Sequence, residues 1–436
     1  MRKTRFFYRT NCLLLALLGW GCLLNEAALR EGVRRKQNTS VTVQVVLSPT
    51  VTPSIIPKKQ KETKTATEQD DPQEIKIRVL LMDSDHTTYE HEAVSGRYDG
   101  KEFFYTADSQ EVQDGELILH PENGKITITS IERQCKEPVY QGELMIRKKG
   151  QKLYLINELS LEEYLRAVVP SEMPSAYEKQ ALMAQAICAR TYAWKQILDG
   201  GISEYGADVD DSVSYQVYGN ILPQDSTDEA VEKTKGLIMT KENEPIEAYY
   251  FSTSAGMTST DEVWGAQETA SYLKRVVCDF DEQSPWRNWS VTIPWENLQR
   301  KIVALSGGEQ ELLSVEAVRK NESGAVTRIQ AVTKTDVFYI DQEYEVREFL
   351  SPEGCMITEK DGTQTQGGKL LPSAYFTLRQ TQGEGLEITG SGYGHGVGMS
   401  QTAANEMAKE GYSYQEILDY FFNEVTIGSI SEYVDK

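Results

Sequence analysis

LEEYLRAVVPSEMPSAYEKQALMAQAICARTYAWKQIL, residues 161–198, decides how this chain is read. The pattern predicts two helices separated by a short break. Pro170 and Pro174 each lack a backbone donor and bias the preceding residue away from helix, which predicts Glu172 on a loop between Ser171 and Met173. For the second helix, Ser175 is the expected N-cap, with Glu178 three residues on to close a capping box. Tyr177, Ala181, Cys188 and Tyr192 fall near helical spacing on one face, and Gly200-Gly201 ends the run. Ala181, Ala184, Ala186, Ala189 and Ala193 keep the helix slim enough for another to pack close. An acid at the mouth of a buried helix is a candidate catalytic group. Equally, Glu172 reads as one more solvated carboxylate, since most acids are exposed.

Working outward, residues 75–157 are strand-rich: IKIRVLLMD, GELILH, GKITIT, GELMIRKKG and QKLYLIN are short β runs punctuated by Gly, Asp and Asn. His86, His91 and His120 fall there without ligand spacing and read as loop or surface histidines. Beyond the helices, GADVDDSVSYQVYGN (206–220) carries Asp208, Asp210 and Asp211. A calcium loop would need Gly at its sixth position and Glu at its twelfth, and both are missing. Residues 228–236 predict a short helix, followed by strands GLIMT and EAYYFSTSAG. Tyr250, Ser252 and Ser254 alternate, so a strand would aim them at one face. Such a row of hydroxyls suits a sugar chain, or an ordinary exposed strand. Ser254 has no G-x-S-x-G elbow around it and is not read as a nucleophile. Ala255 requires negative φ to be tolerated in this turn.

Residues 289–381 predict a helix over WENLQRKIVALSG, a hairpin around 321–324 and a strand at AYFTLRQ. In GSGYGHGVG, Gly390, Gly392, Gly394, Gly396 and Gly398 alternate. An extended chain would then have one bare face, open to a polymer or to another backbone, with Tyr393 and His395 on the opposite face; positive φ at some of the glycines would instead place these two on a sharp turn. The spacing does not match the dinucleotide fingerprint. Ser400-Gln401 open a helix to Lys409, and Ser413 with Glu416 make a second capping box.

At 436 residues the chain has ample length for one large or two intimate domains. A formal net charge of −21 argues against a nucleic-acid partner. Arg2, Lys3, Arg5 and Arg9 precede the apolar run CLLLALLGWGCLL (12–24). The run is short for a bilayer, as a signal peptide would be, yet no tidy cleavage site follows. We read residues 1–29 as an uncleaved signal-anchor placing the rest on the cell-wall side of the membrane. Residues 30–74, rich in Thr, Lys, Pro and acids, read as a flexible linker. Four cysteines outside the apolar run sit in no motif. Cys188 reads as a core residue, and no essential disulfide is expected.

EYLRAVVPSEMPSAYEKQALMAQAICARTYA resembles the signature of the stage II sporulation protein D family, which acts on peptidoglycan outside the cytoplasm. Similar blocks follow in order: DVDDSVSYQVYGN, AYYFSTSAGMTSTDEVWG, YLKRVV and GSGYGHGVGMSQTAANEMA. The resemblance implies an α+β fold, with a helical core carrying the catalytic loop and flanked by strand-rich lobes. The corresponding region is 75–430: a β-rich part (75–157), an active-site core (158–288 and 385–430) and a supporting lobe (289–384). It implies a lytic transglycosylase whose catalytic acid is Glu172. Substrate contacts would come from Arg190, Gln216, Tyr218, Tyr250, Ser252, Ser254, Thr258, His395, Ser400 and Gln401. Glycan strands, a cell-wall amidase and a membrane engulfment partner would be its associates, with a non-catalytic amidase enhancer as the other reading. Some members bind zinc through Cys, His and Cys at positions matching Asp210, Ser214 and Tyr215, so no metal or other cofactor is expected here.

Overall fold

A computed structural model describes residues 74–112, 115–308, 310–381 and 385–434. The signal-anchor expected over 1–29, and all of the linker but its last residue, lie outside the described residues. No described helix is long and apolar enough to cross a membrane. Ile75–Lys436 clusters as one compact unit of mixed α+β structure. A chain beginning at Ile75 is therefore expected to be soluble and to unfold in one cooperative transition; an aggregated product, or a melt without a transition, would refute this.

The strand Lys152–Ser160 is the spine of the N-terminal part. Residues 153–157 are buried in series, as they must be in a strand covered on both faces. It pairs with Glu143–Lys149 across the two-residue turn Gly150-Gln151, where Gly150 takes a φ of 66°. On its other edge lies Lys76–Leu81, which also takes Val209–Asp210 in parallel. A four-stranded sheet of Lys101–Thr106, Ala93–Tyr98, Lys125–Ile128 and Val139–Gln141 stands beside it. His86 and His120 are exposed as expected, but His91 is not. A backbone bridge to Leu153 draws it into the sheet, where its Nε2 meets the Leu81 carbonyl at 3.1 Å.

The chain passes from this spine straight into helix α1 (Leu161–Glu172), whose N-cap Ser160 accepts the Glu163 amide. Pro170 does not break the helix. It removes only the bond its amide would have made to Arg166, and the turn carries on through Glu172. Pro174 is the terminator: it holds Met173 extended at φ −133° and ψ 136°. Glu172 is thus a helical residue, not a loop residue. Helix α2 (Lys179–Leu198) starts later than its sequence predicts, and the Ser175–Glu178 capping box does not form. Instead the Glu178 amide donates to Asn405 Oδ1 at 2.8 Å. All five alanines of α2 are fully buried, and nearly the whole helix is enclosed rather than one face. Around it pack α1, α3 (Asp225–Lys233), the strand Leu237–Lys241 and two later helices.

The supporting lobe holds α4 (Trp295–Ser306), α5 (Glu343–Phe349) and the hairpin of Leu312–Lys320 with Val326–Thr333. Its five-stranded sheet includes Gly385–Gly390, which pairs with Trp289–Ile293. The later helices are α6 (Gln401–Lys409) and α7 (Tyr414–Phe421), the second opened by the expected Ser413–Glu416 capping box. Between lobe and α6 runs the glycine block, and it is not extended. Gly392, Gly394, Gly396 and Gly398 all have φ between 80° and 107°. A Cβ at Gly398 would sit 2.1 Å from the Tyr249 carbonyl oxygen, and one at Gly394 2.8 Å from Phe251 Cβ. What approaches the bare glycines is the chain's own segment 249–255, joined by the bonds between Tyr393 and Thr253 and by the parallel pairing of Tyr250–Phe251 with Met399–Ser400. That packing fixes Tyr250 opposite the end of α1.

Candidate active site

Glu172 occupies the last position of α1 with only 2% of its surface exposed. Ser171 beside it donates to the Ala167 carbonyl and accepts the Ile221 amide, clipping the 217–221 segment against the helix end. The Val217 amide consequently points at the carboxyl and donates to Oε1 at 2.6 Å. The Tyr250 hydroxyl supplies a second bond. Burial pushes the Glu172 pKa up to about 8, against the pull of those two donors. The carboxyl is therefore mostly protonated at neutral pH.

Behind Tyr250 stands a chain of buried polar groups. Gln216 Nε2 donates to the Tyr250 hydroxyl at 3.1 Å and to the Ala189 carbonyl at 3.3 Å. Gln216 Oε1 accepts the Tyr164 hydroxyl at 3.1 Å. From the other side, Gln401 Nε2 donates to the Glu172 carbonyl oxygen at 3.1 Å and to Gln185 Oε1 at 3.3 Å. A protonated acid held by rigid donors, in a helix-end position fixed by four separate segments, is equipped for general acid–base work.

The family model described as Stage II sporulation protein matches residues 149–240, which include α1, α2, Gln216 and Val217. Stage II sporulation protein D of Bacillus subtilis (strain 168) is 31% identical over 295 residues, covering 64% of this chain and 78% of that protein. The chain belongs to the stage II sporulation protein D family. An uncharacterized protein of Brachyspira hyodysenteriae is 32% identical over 293 residues, 66% of this chain and 72% of its own length. The amidase enhancer of Bacillus subtilis is 28% identical over 297 residues, 61% of this chain and 40% of that longer protein.

Within this family member, the residues expected to touch substrate divide by what they do. Gln216, Tyr250 and Gln401 converge on Glu172 as described. Arg190 does not. It is fully buried, bidentate to Glu162 at 2.8 and 2.7 Å, with its remaining donors on Thr234, Leu237 and Val231. No donor is left over for a sugar. Thr258 is likewise consumed by Lys274 and Val276. Tyr218 donates to Asn157 Oδ1 at 2.6 Å and stacks on Tyr164. Ser400 caps α6 and bonds Asp281, whose other oxygen accepts the Ser254 amide. His395 accepts the Val397 amide at Nδ1, so its Nε2 carries the hydrogen and donates to the Tyr250 carbonyl at 3.0 Å. Burial pushes its pKa down to about 3, and it stays neutral.

The expected open row of hydroxyls is also absent. Tyr250, Ser252 and Ser254 are all buried, and only Tyr250–Phe251 forms a ladder. Ser252, 7% exposed, shares a 3.3 Å bond with Thr253. Ala255 has no positive φ, so the turn accepts it. In the loop where some relatives place zinc ligands, Asp210 takes bonds from Tyr89 and Ser212, and Asp211 is paired with buried Arg133. Three contributors escape the sequence reading: Tyr164, Gln185 and the Val217 amide. Tyr164, Val168 and Glu172 recur every fourth residue along α1, which was the available signal for the first; nothing local marks the other two.

Proposed function

We propose that this protein is a peptidoglycan lytic transglycosylase that cleaves the bond between N-acetylmuramic acid and N-acetylglucosamine. The observation that carries the reading is Glu172: a buried, protonated carboxyl whose oxygens are met by the Val217 amide and the Tyr250 hydroxyl. Its proton goes to the glycosidic oxygen as the C1–O bond breaks. The carboxylate then removes the proton from the muramyl C6 hydroxyl, whose oxygen bonds to C1 and closes a 1,6-anhydro ring. Glu172 ends as it began, and no water is consumed. One carboxyl serves as acid and base, unlike the paired carboxyls of hydrolytic glycosidases.

Kinship with stage II sporulation protein D of Bacillus subtilis supports action in forespore engulfment, on glycan strands already stripped of stem peptides by an amidase. A membrane engulfment partner and an N-terminal anchor on the wall side belong to the same reading. Similarity to the amidase enhancer favours a second reading, a wall-binding protein that speeds a partner amidase without cutting glycan itself. Incubating the full chain with purified, amidase-treated sacculi and analysing the products by mass spectrometry separates them. Release of fragments ending in 1,6-anhydromuramic acid is expected. No release, together with faster amidase turnover in its presence, would replace the first reading with the second.

A further inference from the structure

Inside the protein, the Glu172 carboxyl is surrounded by donors, and the arrangement has a direction. The orientation of the Gln216 amide is not arbitrary. A carbonyl can only accept, so the contact with Ala189 fixes the nitrogen end, and the Tyr164 hydroxyl at 3.1 Å occupies the oxygen end. Gln216 must therefore donate to the Tyr250 oxygen. A tyrosine hydroxyl has one hydrogen, and with a donor already aimed at its oxygen that hydrogen turns toward Glu172. The other interior contact, the Val217 amide on Oε1, is a donor as well. We propose that Gln216 is a positioning residue that aims the proton of Glu172: by holding the Tyr250 hydroxyl as a donor, it leaves that proton no acceptor among the described residues and directs it to the substrate oxygen.

This inference rests on Glu172 being the acid of the proposed reaction. The groups around the carboxyl agree with it. Tyr250 reaches it from segment 249–255, while Tyr164 of its own helix donates to Gln216 and interacts electrostatically with Glu172 and with Tyr218, Asp210 and Asp211. Val217 arrives as a backbone amide, and Gln401 from α6 engages the Glu172 carbonyl, not the carboxyl. If Gln216 could not donate, Tyr250 would be free to rotate and accept the proton of Glu172. The acid form would then gain an internal partner, hold its proton to higher pH and deliver it less readily.

The test uses the full chain carrying carboxyl-labelled glutamate, with Glu172→Gln identifying the signal. The titration midpoint of Glu172 is read by carbon NMR, and anhydro-end release is followed from pH 5 to 10. Gln216→Met is expected to raise the midpoint by about one pH unit, the scale of one hydrogen bond to a charged group, and to lower the acid-side rate roughly tenfold. Tyr250→Phe is expected to raise the midpoint similarly. The double variant should move it no further than Tyr250→Phe alone, because both act through one hydroxyl. A folded Gln216→Met with the wild-type midpoint would overturn the proposal, as would fully additive shifts in the double variant. Should Gln216→Met not fold, Gln216→Asn, which withdraws the amide by one methylene, gives the same comparison. The NMR midpoint needs no turnover. A wild type releasing no anhydro ends would therefore defeat the transglycosylase reading, while the midpoints still decide the relay.

Discussion

Glu172→Gln should reduce anhydro-end release by about 10²–10⁴-fold, the usual contribution of general acid–base catalysis, while binding to stripped glycan persists. The amide keeps the size of the side chain and can still accept the Val217 amide, so the loss is specific to the transferable proton. The same substitution should stabilise the protein. A carboxyl with a folded pKa of about 8 against an ordinary value of 4.5 favours the native state fully at pH values below 4.5. As pH rises from there toward 8, the unfolded chain releases the proton and the native state retains it, so wild-type stability falls. By pH 7 the loss is about 3 kcal/mol for this buried group, and the neutral glutamine does not incur it. Denaturant titrations at pH 4 and pH 7 should therefore show the variant overtaking wild type as pH rises. A variant that cuts glycan at the wild-type rate would remove Glu172 from the chemistry. Equal stability at both pH values would mean that its carboxyl is not held protonated.

Legibility in the sequence followed the range of the interaction. The hairpin near 321–324, helix α4 closed by Gly307 in the left-handed region, and the Ser413–Glu416 box are set by neighbours within a few residues, and all were readable. The Ser175–Glu178 box was equally plausible by that logic, yet Asn405 meets the Glu178 amide from 227 residues away. At Pro170 the local bias against helix was overridden by the burial of Tyr164, Leu165, Val168 and Val169 on the same helix. The alternating glycines show a deeper ambiguity. A period of two describes both a bare strand face and a series of positive-φ turns, and only the partner segment 249–255 decides between them. For the candidate site, the motif singles out Glu172 through the family resemblance, and Gln216 and Tyr250 are named as substrate contacts without their bond to each other. Their hydroxyl and amide groups suggest sugar recognition, whereas in the fold Gln216 donates to the Tyr250 hydroxyl and Tyr250 bonds Glu172.

Arg190 carries the clearest difference between a binding and a structural role. Its guanidinium joins α1 through Glu162, α3 through Val231, and the approach to the strand Leu237–Lys241 through Thr234 and Leu237. Glu162 in turn accepts the Gly236 amide at 3.2 Å. Such a planar fork cannot be copied by lysine, which offers one point charge in place of a bidentate face. Removing either partner strands the other charge against buried backbone, at a cost of about 3–5 kcal/mol. Arg190→Met and Glu162→Gln should each lower the unfolding free energy on that scale, while the molecules still folded keep the wild-type KM for glycan. Joint replacement by Arg190→Met and Glu162→Leu should cost less than the sum of the two single losses, since no lone charge remains. A substrate contact would behave in the opposite way: Arg190→Met would raise KM and leave the denaturation midpoint unmoved, and Glu162→Gln would have no matching effect.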